Sequence, residues 1–208
     1  PERFKPGSDV ANMSVMGFNP KKYYTGRSPL EAVAMGIGLK DTDVTLRANL
    51  VTLAGDEAYE EKTMADYSAG EITTKEAREL IEYLKKELDG DGFTLYPGIS
   101  YRHCLVAENG VTGHELTPPH DISDKKITDY LPKGRCADRY LALMTRSYEL
   151  LKDHPVNVAR VKAGKNPANS LWLWGEGTKP MLENFTQKTG LKGGVISAVD
   201  LVKGISII

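Results

Sequence analysis

Ser8 is the side chain whose surroundings best suit covalent chemistry. Gly7 before it predicts a tight turn, Asp9 after it suits the positive end of a helix, and Gly17 ends the apolar run that follows. The free N–H groups of a helix N-terminus favour negative charge, so a phosphoryl group on or near Ser8 would be stabilised there. The alternative is an N-cap, in which the serine hydroxyl accepts a backbone N–H bond.

Two strands are predicted to carry the other polar candidates. The alternation over residues 43–53 predicts a strand with Val44 on its apolar face and with Arg47 and Asn49 on its polar face. A second strand is predicted over residues 100–107.

The predicted helices follow from capping and apolar spacing. Two capping boxes, each a Ser or Thr three residues before a Glu, open helices that glycines close. Helical apolar spacing marks a further helix, which a proline stops. These signals are Ser28 with Glu31 and Gly36, Thr73 with Glu76 and Gly90, and Leu141 to Leu151 before Pro155.

The last part of the chain predicts a second kind of structure. Residues 164–169 are typical of a connection between domains. A buried strand is predicted over 171–174, a helix over 180–189 ended by Gly190, and another strand over 195–199. Strand, helix and strand in this order predict a parallel α/β unit.

Composition excludes several classes of function. The 208 residues include 27 Lys and Arg against 28 Asp and Glu, a net charge of -1, which argues against a nucleic-acid partner. No apolar run approaches the ~20 residues that span a bilayer, and no secretory signal opens the chain. Cys104 and Cys136 could form one disulfide, but two buried thiols in a cytoplasmic protein are the favoured interpretation.

Several runs of residues, in order, carry a resemblance over essentially the whole chain. The chain resembles the archaeal-type cofactor-independent phosphoglycerate mutases, a branch of the alkaline phosphatase superfamily. The runs are Pro6-Gly7-Ser8-Asp9-Val10-Ala11-Asn12, Tyr23-Tyr24-Thr25-Gly26-Arg27-Ser28-Pro29, Arg47-Ala48-Asn49-Leu50-Val51-Thr52, Asp66-Tyr67-Ser68-Ala69-Gly70, Gly98-Ile99-Ser100-Tyr101-Arg102-His103, Thr117-Pro118-Pro119-His120-Asp121-Ile122, Asn169-Ser170-Leu171-Trp172-Leu173-Trp174-Gly175 and Ala198-Val199-Asp200-Leu201-Val202-Lys203-Gly204.

The resemblance implies an α/β fold in which alkaline-phosphatase-like core pieces flank an inserted α+β cap domain that closes over the substrate. Residues 1–20 are expected to form a core segment with the nucleophile helix, 21–165 the substrate-binding cap, and 166–208 a further core segment. The boundaries are expected to hold to within several residues.

By the same resemblance, Ser8 is the nucleophile of a mutase that interconverts 2- and 3-phosphoglycerate without added 2,3-bisphosphoglycerate. Ser8 would hold the phosphoryl group as phosphoserine and would also ligate a metal. Two divalent ions (Mn, Zn, Mg or Co) would activate its hydroxyl, because a serine hydroxyl is a poor nucleophile at neutral pH. The four histidines, which show no metal-ligand spacing, are His103, His114, His120 and His154.

The substrate is an anion, which arginines bind well because they can make two parallel contacts. Arg47 and Asn49 are expected to point into the cleft together, with a solvated surface arginine as the alternative. Asp66 could hold a substrate hydroxyl or act as acid or base, or it could simply cap the loop before Gly70.

The remaining candidates lie on a strand, on a loop and after the last predicted strand. Arg102 suits a carboxylate and His103 suits proton transfer, but successive strand residues face opposite sides, so only one would meet a flat site. His120 follows two prolines on a stiff loop, where a local turn hydrogen bond is the alternative. Lys203 is assigned by resemblance as a phosphate contact.

The resemblance also implies members about twice this length, with a metal-binding Asp before this region and Asp and His ligands after it. We therefore expect a central piece of a larger enzyme, inactive alone, whose apolar end could drive self-association. Two other functions are considered. One is a phosphotransferase or phosphohydrolase for another small metabolite, such as homoserine phosphate, and the other is a non-catalytic binding or assembly module.

Overall fold

A computed structural model describes residues 7–197 and 200–207 of the chain. One antiparallel sheet carries helices on both faces, and a smaller helical layer is formed by the first and last helices. The helices are α1 (Ser8–Val15), α2 (Pro20–Tyr23), α3 (Ser28–Ala34), α4 (Thr74–Leu88), α5 (Ala137–Leu151), α6 (Pro155–Lys162), α7 (Phe185–Thr189) and α8 (Asp200–Ile207). The strands are β1 (Val44–Ala54), β2 (Thr63–Asp66), β3 (Phe93–Ile99), β4 (Arg102–Ala107) and β5 (Ser170–Thr178).

The long strand β1 organises the sheet. It pairs antiparallel with β4, with β5 and, near its end, with β2, while β3 pairs with β4. The predicted alternation along β1 is confirmed. Leu46, Ala48 and Leu50 belong to the main core beside α4 and α5, whereas Arg47 reaches the opposite face, beneath α3. Because both faces are covered, every β1 residue before Ala54 is buried.

The predicted parallel unit at the end of the chain is wrong. β5 runs antiparallel to β1, with Ala48 opposite Leu173 and Val44 opposite Thr178. A short run of buried apolar residues is typical of a central strand, but it contains no information on strand direction.

The helix predicted over 180–189 shortens to α7, which Asn184 caps and Gly190 ends in a left-handed conformation. The predicted strand over 195–199 is not found at residues 195–197, which belong to no helix or strand, and its last two residues lie outside the described part.

The helix signals had mixed outcomes. The capping box of α4 is confirmed, with Thr73 and Glu76 each bonding the other's backbone N–H. The box predicted at Ser28 is wrong: its hydroxyl is buried beside Cys104, and the Glu31 carboxylate is held by arginines. Pro155 both follows α5 and begins α6, a helix that the sequence analysis did not predict.

The two cysteines are free, but only one is buried as predicted. Burial raises the pKa of the Cys104 thiol to about 12, so this thiol stays protonated. Cys136 is exposed because it lies in the loop that leads into α5, with φ 63°.

The smaller layer joins the first helix to the last. Leu201 and Ile205 of α8 pack with Met13 of α1 and Leu30 of α3. A Cβ atom on Gly204 would lie 1.8 Å from the Leu30 carbonyl oxygen, so only glycine permits this close crossing of α8 over α3. Among residues 7–197 and 200–207, no helix combines the length and apolarity needed to cross a bilayer.

Candidate functional site

Charged and aromatic side chains from several separate elements meet around Trp174 of β5. Arg47 lies with its guanidinium carbon 4.3 Å from the centre of the Trp174 ring, and that of Arg27 lies 5.9 Å away. The indole N–H donates to Asn49 Oδ1 at 3.0 Å, which fixes the ring. We call this group the Trp174 cluster, and its members are Arg27, Glu31, Arg47, Asn49, Tyr67, Arg102, His120 and Trp174.

The backbone brings Arg27 to the cluster through a contact between glycines. The segment before α3 crosses β5 so closely that a Cβ on Gly26 would lie 2.2 Å from the Glu176 carbonyl oxygen. Thr25 Oγ1 also donates to the Thr178 carbonyl at 2.7 Å. Arg27 follows at once, at the start of α3.

Glu31 connects the two arginines that lie nearest Trp174. Arg27 Nε donates to Glu31 Oε1 at 3.1 Å. Glu31 Oε2 lies 2.8 Å from Arg47 Nε but out of line with that N–H, so the second contact is an ion pair without a hydrogen bond.

Arg47 is buried, with 6% of its surface exposed, so neither a solvated surface arginine nor one standing free in a cleft describes it. The sequence analysis did not foresee this burial, because α3 covers the polar face of β1, which strand periodicity cannot reveal. Burial lowers the pKa of Arg47, Glu31 opposes this, and the charges of Arg27 and Arg102 lower it further. The guanidinium nevertheless stays ionised, as arginine does in proteins.

Arg102 and His103 lie on opposite faces of the sheet. Arg102 pairs across the sheet with Asn49, so it shares the face of the Trp174 cluster, and it is exposed. His103 pairs with Ala48 on the other face and is 4% exposed. Of these two candidates, the structure brings only Arg102 to the cluster.

The His103 ring is held as a neutral imidazole. Burial lowers the pKa of His103 to about 3. Its Nδ1 accepts the Gly98 N–H at 3.0 Å, and its Nε2 has no hydrogen-bond partner among the described residues. A neutral buried ring with one unsatisfied N–H lacks the solvent access that proton exchange requires.

His120 stands at the open edge of the Trp174 cluster. Its ring centre lies 5.3 Å from that of Trp174 and 6.0 Å from that of Tyr67. Its Nε2 is 3.7 Å from Asp121 Oδ1, and nearly half of its side chain is exposed. Asn49 Nδ2 donates to the Tyr67 carbonyl at 3.3 Å, which ties the Tyr67 loop to β1.

Asp66 serves its own loop, as the alternative interpretation had it. Its Oδ1 accepts the N–H and the hydroxyl of Ser68 at 2.7 Å each, and its Oδ2 accepts from Gly70 and Asn166 at 2.7 and 2.8 Å. Burial acts to raise the pKa of Asp66, but these hydrogen bonds outweigh it and hold the pKa below its usual value. The carboxylate is therefore ionised and engaged in capping.

Ser8 is exposed at the start of α1, and the N-cap is Gly7. Its hydroxyl therefore does not cap the helix, and no described residue hydrogen-bonds to it. The next residue, Asp9, is buried and accepts a hydrogen bond from the Tyr24 hydroxyl. Burial and this bond raise the pKa of Tyr24, and the charges of Arg27 and Glu31 also act on the Tyr24 hydroxyl. Tyr24 thus ties the Ser8 segment to the segment that leads into α3.

Two further expectations concern Lys203 and metal ligands. Lys203 is half-buried on α8 and is not a member of the Trp174 cluster. Within residues 7–197 and 200–207, no three His, Cys, Asp or Glu side chains gather as a metal site. Since a divalent ion needs several oxygen or nitrogen ligands, the described residues do not by themselves fit two such ions.

Arg27, Glu31, Tyr67 and Trp174 are members of the cluster that the sequence analysis did not select. Arg27 and Glu31 are four residues apart, a spacing that places two side chains on one helix face. Trp174 was assigned only to an apolar run, although its indole N–H needs a partner when buried.

Three arginines, one carboxylate and a tryptophan face suit a small molecule with several negative charges. Comparison with known proteins is consistent with this chemistry. The family described as 2,3-bisphosphoglycerate-independent phosphoglycerate mutase matches residues 1–157. The chain belongs to this family.

Two relatives show how far the similarity extends. A probable 2,3-bisphosphoglycerate-independent phosphoglycerate mutase of Geobacter sulfurreducens is 51% identical over 207 residues, which is 100% of this chain and 51% of the relative. The 2,3-bisphosphoglycerate-independent phosphoglycerate mutase of Methanosarcina mazei is 50% identical over 208 residues, again 100% of this chain and 51% of the relative. The chain thus spans about half the length of these relatives.

Solved structures agree with the fold. A cofactor-independent phosphoglycerate mutase from Thermoplasma acidophilum superposes with a TM-score of 0.59 at 28% identity, covering 97% of this chain and 54% of that one. A protein from Pyrococcus horikoshii superposes with a TM-score of 0.68 at 24% identity, covering 98% and 46%. The expected α/β class is confirmed by these neighbours.

Proposed function

We propose that this chain supplies the phosphoryl acceptor and the substrate-binding cap of an enzyme that interconverts 2- and 3-phosphoglycerate. The observation that carries the proposal is the Trp174 cluster, where Glu31 pairs with Arg27 and Arg47 and a third arginine, Arg102, lies on the same face of the sheet. Such an excess of positive charge suits a ligand with a phosphate and a carboxylate. The family of the chain supports the same reaction.

Ser8 is proposed as the phosphoryl acceptor. Its Oγ would form a bond to phosphorus while the bond from phosphorus to the glycerate oxygen breaks, and the hydroxyl proton would pass to the departing oxygen. The other glycerate hydroxyl would then attack phosphorus while the bond from phosphorus to Ser8 Oγ breaks, and its proton would pass to that oxygen to restore the serine hydroxyl. An exposed hydroxyl at the N-terminus of α1 supports this role, since the positive end of a helix favours the added negative charge.

We propose that some of the candidate residues bind the substrate directly and that others act indirectly. Arg102 and Arg47 would bind its charged groups, with Asn49 and His120 beside them, and Lys203 is retained as a phosphate contact. Asp66 and His103 would act indirectly, because one caps a loop and the other is buried.

The division into core pieces and cap remains a proposal, with one adjustment. Because β5 pairs with β1, we extend the cap from residue 165 to the end of β5 at Thr178. Residues 1–20 and those after β5 are proposed as core segments. The exposed Met181, Leu191 and Ile196 support the idea that this part of the chain is covered by other polypeptide, whether more of the same protein or another copy.

We further propose that the enzyme uses two divalent metal ions and requires no bisphosphoglycerate. We also propose that it is cytoplasmic and has no nucleic-acid or membrane partner. The described residues hold no metal site, so the ligands besides Ser8 would have to come from elsewhere in the protein. On this view the 208-residue chain alone is inactive.

The test is a coupled enolase assay on the full-length protein that contains this chain, without added bisphosphoglycerate and with or without a chelator. We expect mutase activity that Ser8→Ala and the chelator both abolish, and mass spectrometry that finds phosphate on Ser8. Ser14→Ala is the matched control, because Ser14 is an exposed serine of the same helix and should leave activity unchanged.

Full activity in Ser8→Ala would refute its role as acceptor. Turnover of another phosphometabolite, such as homoserine phosphate, with none of phosphoglycerate would refute the mutase proposal. Activity of the isolated 208-residue chain would refute the placement of the metal ligands.

A further inference from the structure

We propose that Glu31 is a positioning residue that holds Arg27 and Arg47 by their Nε sides and so directs their terminal nitrogens toward one anionic group of the substrate. This inference rests on the proposed function and assigns a role to Glu31, to which the mutase proposal gives no task of its own.

The contacts of Glu31 divide its carboxylate between the two arginines. Oε1 accepts from Arg27 Nε at 3.1 Å, and Oε2 lies 2.8 Å from Arg47 Nε. Both contacts use Nε, so the two terminal nitrogens of each guanidinium remain available. None of those four nitrogens hydrogen-bonds to a residue in the described part of the chain.

The neighbouring residues restrict the conformations that the two arginine side chains can adopt. The guanidinium of Arg47 stacks on Trp174, and Asn49 holds that indole ring through its N–H. Arg27 follows the tight crossing of Gly26 over β5. The side chains of Glu31 and Arg27 are 17% and 29% exposed, so the pair borders solvent from which a small anion can arrive.

A phosphate or carboxylate group is recognised best by nitrogens of a guanidinium that point in parallel toward its oxygens. Without Glu31, the Arg27 side chain would lose its only hydrogen bond to the described residues, and mutual repulsion would drive the two cations apart. Arginine side chains have large rotamer freedom, so re-forming the productive arrangement on binding would weaken the complex.

If Glu31 acted only as a counter-charge, its removal would change KM in the opposite direction, so the inference can be tested. If Glu31 only neutralised the arginines, removing its charge would strengthen the attraction for an anion and lower KM. If Glu31 positions the arginines, removing its charge or shortening its side chain would raise KM.

The experiment measures steady-state kinetics with 3-phosphoglycerate for the full-length protein and its Glu31→Gln and Glu31→Asp variants. Loss of one well-placed charged contact corresponds to a rise in KM of about tenfold or more. We expect this rise in both variants, with kcat within about twofold, because phosphoryl transfer at Ser8 does not use Glu31. The Asp variant retains the charge, so it also tests the inference if the Gln variant folds poorly.

Glu149→Gln is the matched control. Glu149 is an exposed carboxylate on α5 whose ion pair with Lys152 lies outside the Trp174 cluster, so its removal should leave KM unchanged. A KM at or below the wild-type value in both Glu31 variants would overturn the inference while leaving the mutase proposal intact. Absence of mutase activity in the wild-type protein would overturn the proposed function and this inference with it.

Discussion

Replacing Arg47 by alanine should destabilise the fold, and this effect can be estimated from the surroundings of the guanidinium. Arg47 is 6% exposed, lies 2.8 Å from a Glu31 oxygen and stacks at 4.3 Å on Trp174. The alanine variant removes the cation from both contacts and leaves the Glu31 carboxylate with a single partner, Arg27.

Breaking a buried ion pair by removing one member typically costs about 3–5 kcal/mol. Because Glu31 keeps Arg27 at 3.1 Å and reaches solvent, the lower end applies, about 3 kcal/mol. For a chain of this size, each kcal/mol lowers Tm by about 2–4 °C, so the expected loss is about 6–12 °C.

Thermal unfolding followed by circular dichroism measures this shift, and Arg102→Ala is the matched control. Arg102 is an exposed arginine on the same face of the sheet, so its loss should change the stability by no more than about 0.5 kcal/mol. The double variant Arg47→Ala with Glu31→Ala should lose less than the sum of the single losses, because the two residues interact. Equal Tm values for the Arg47 and Arg102 variants would refute the buried ion pair.

Two further predictions concern protonation and hydrogen bonding. Burial lowers the pKa of His103 to about 3 in the folded chain, whereas the unfolded chain has the ordinary pKa of about 6.5. Between these two pH values the unfolded chain binds a proton that the folded chain does not, so the free energy of unfolding falls as the pH falls. In chemical denaturation between pH 7 and pH 4, the free energy of unfolding should therefore depend less on pH for His103→Gln than for wild type, and the two slopes should differ by up to about 1.4 kcal/mol per pH unit. Parallel curves would contradict the burial of a neutral ring. Tyr24→Phe removes the hydrogen bond to the buried Asp9 and should cost about 1–3 kcal/mol in the same measurement, whereas an unchanged midpoint would mean that Asp9 is solvated.

Local signals predicted much of the structure because they act within a few residues. The alternation along β1 assigned Val44 and Arg47 to their correct faces, and the Thr73 capping box placed the start of α4. The same alternation predicted that Arg102 and His103 would separate. Each of these inferences depends on backbone geometry alone, which the order of residues determines.

The arrangement around Trp174 could not be predicted in this way. Arg47 was assigned to a polar face, but whether α3 would cover that face depends on contacts between distant segments. Trp174 was assigned to an apolar strand, and nothing local shows that β5 would pair antiparallel with β1 and bring the indole beneath a guanidinium. Glu31 matched the capping-box pattern, but its carboxylate interacts with two arginines instead of accepting a backbone N–H at the start of its own helix.

The pairing of β5 with β1 also governs the order in which the chain can fold. Leu53 donates its N–H to Asn169 Oδ1, 116 positions later, so one side of β1 stays open until the residues of β5 have been synthesised. Contacts between such distant segments form slowly, because a long loop must close before they are gained. During synthesis, β1 is therefore an apolar strand with an unpaired edge that can capture a strand of another molecule. A chain interrupted before Ser170 would keep that edge permanently, and aggregation rather than partial activity is its expected fate.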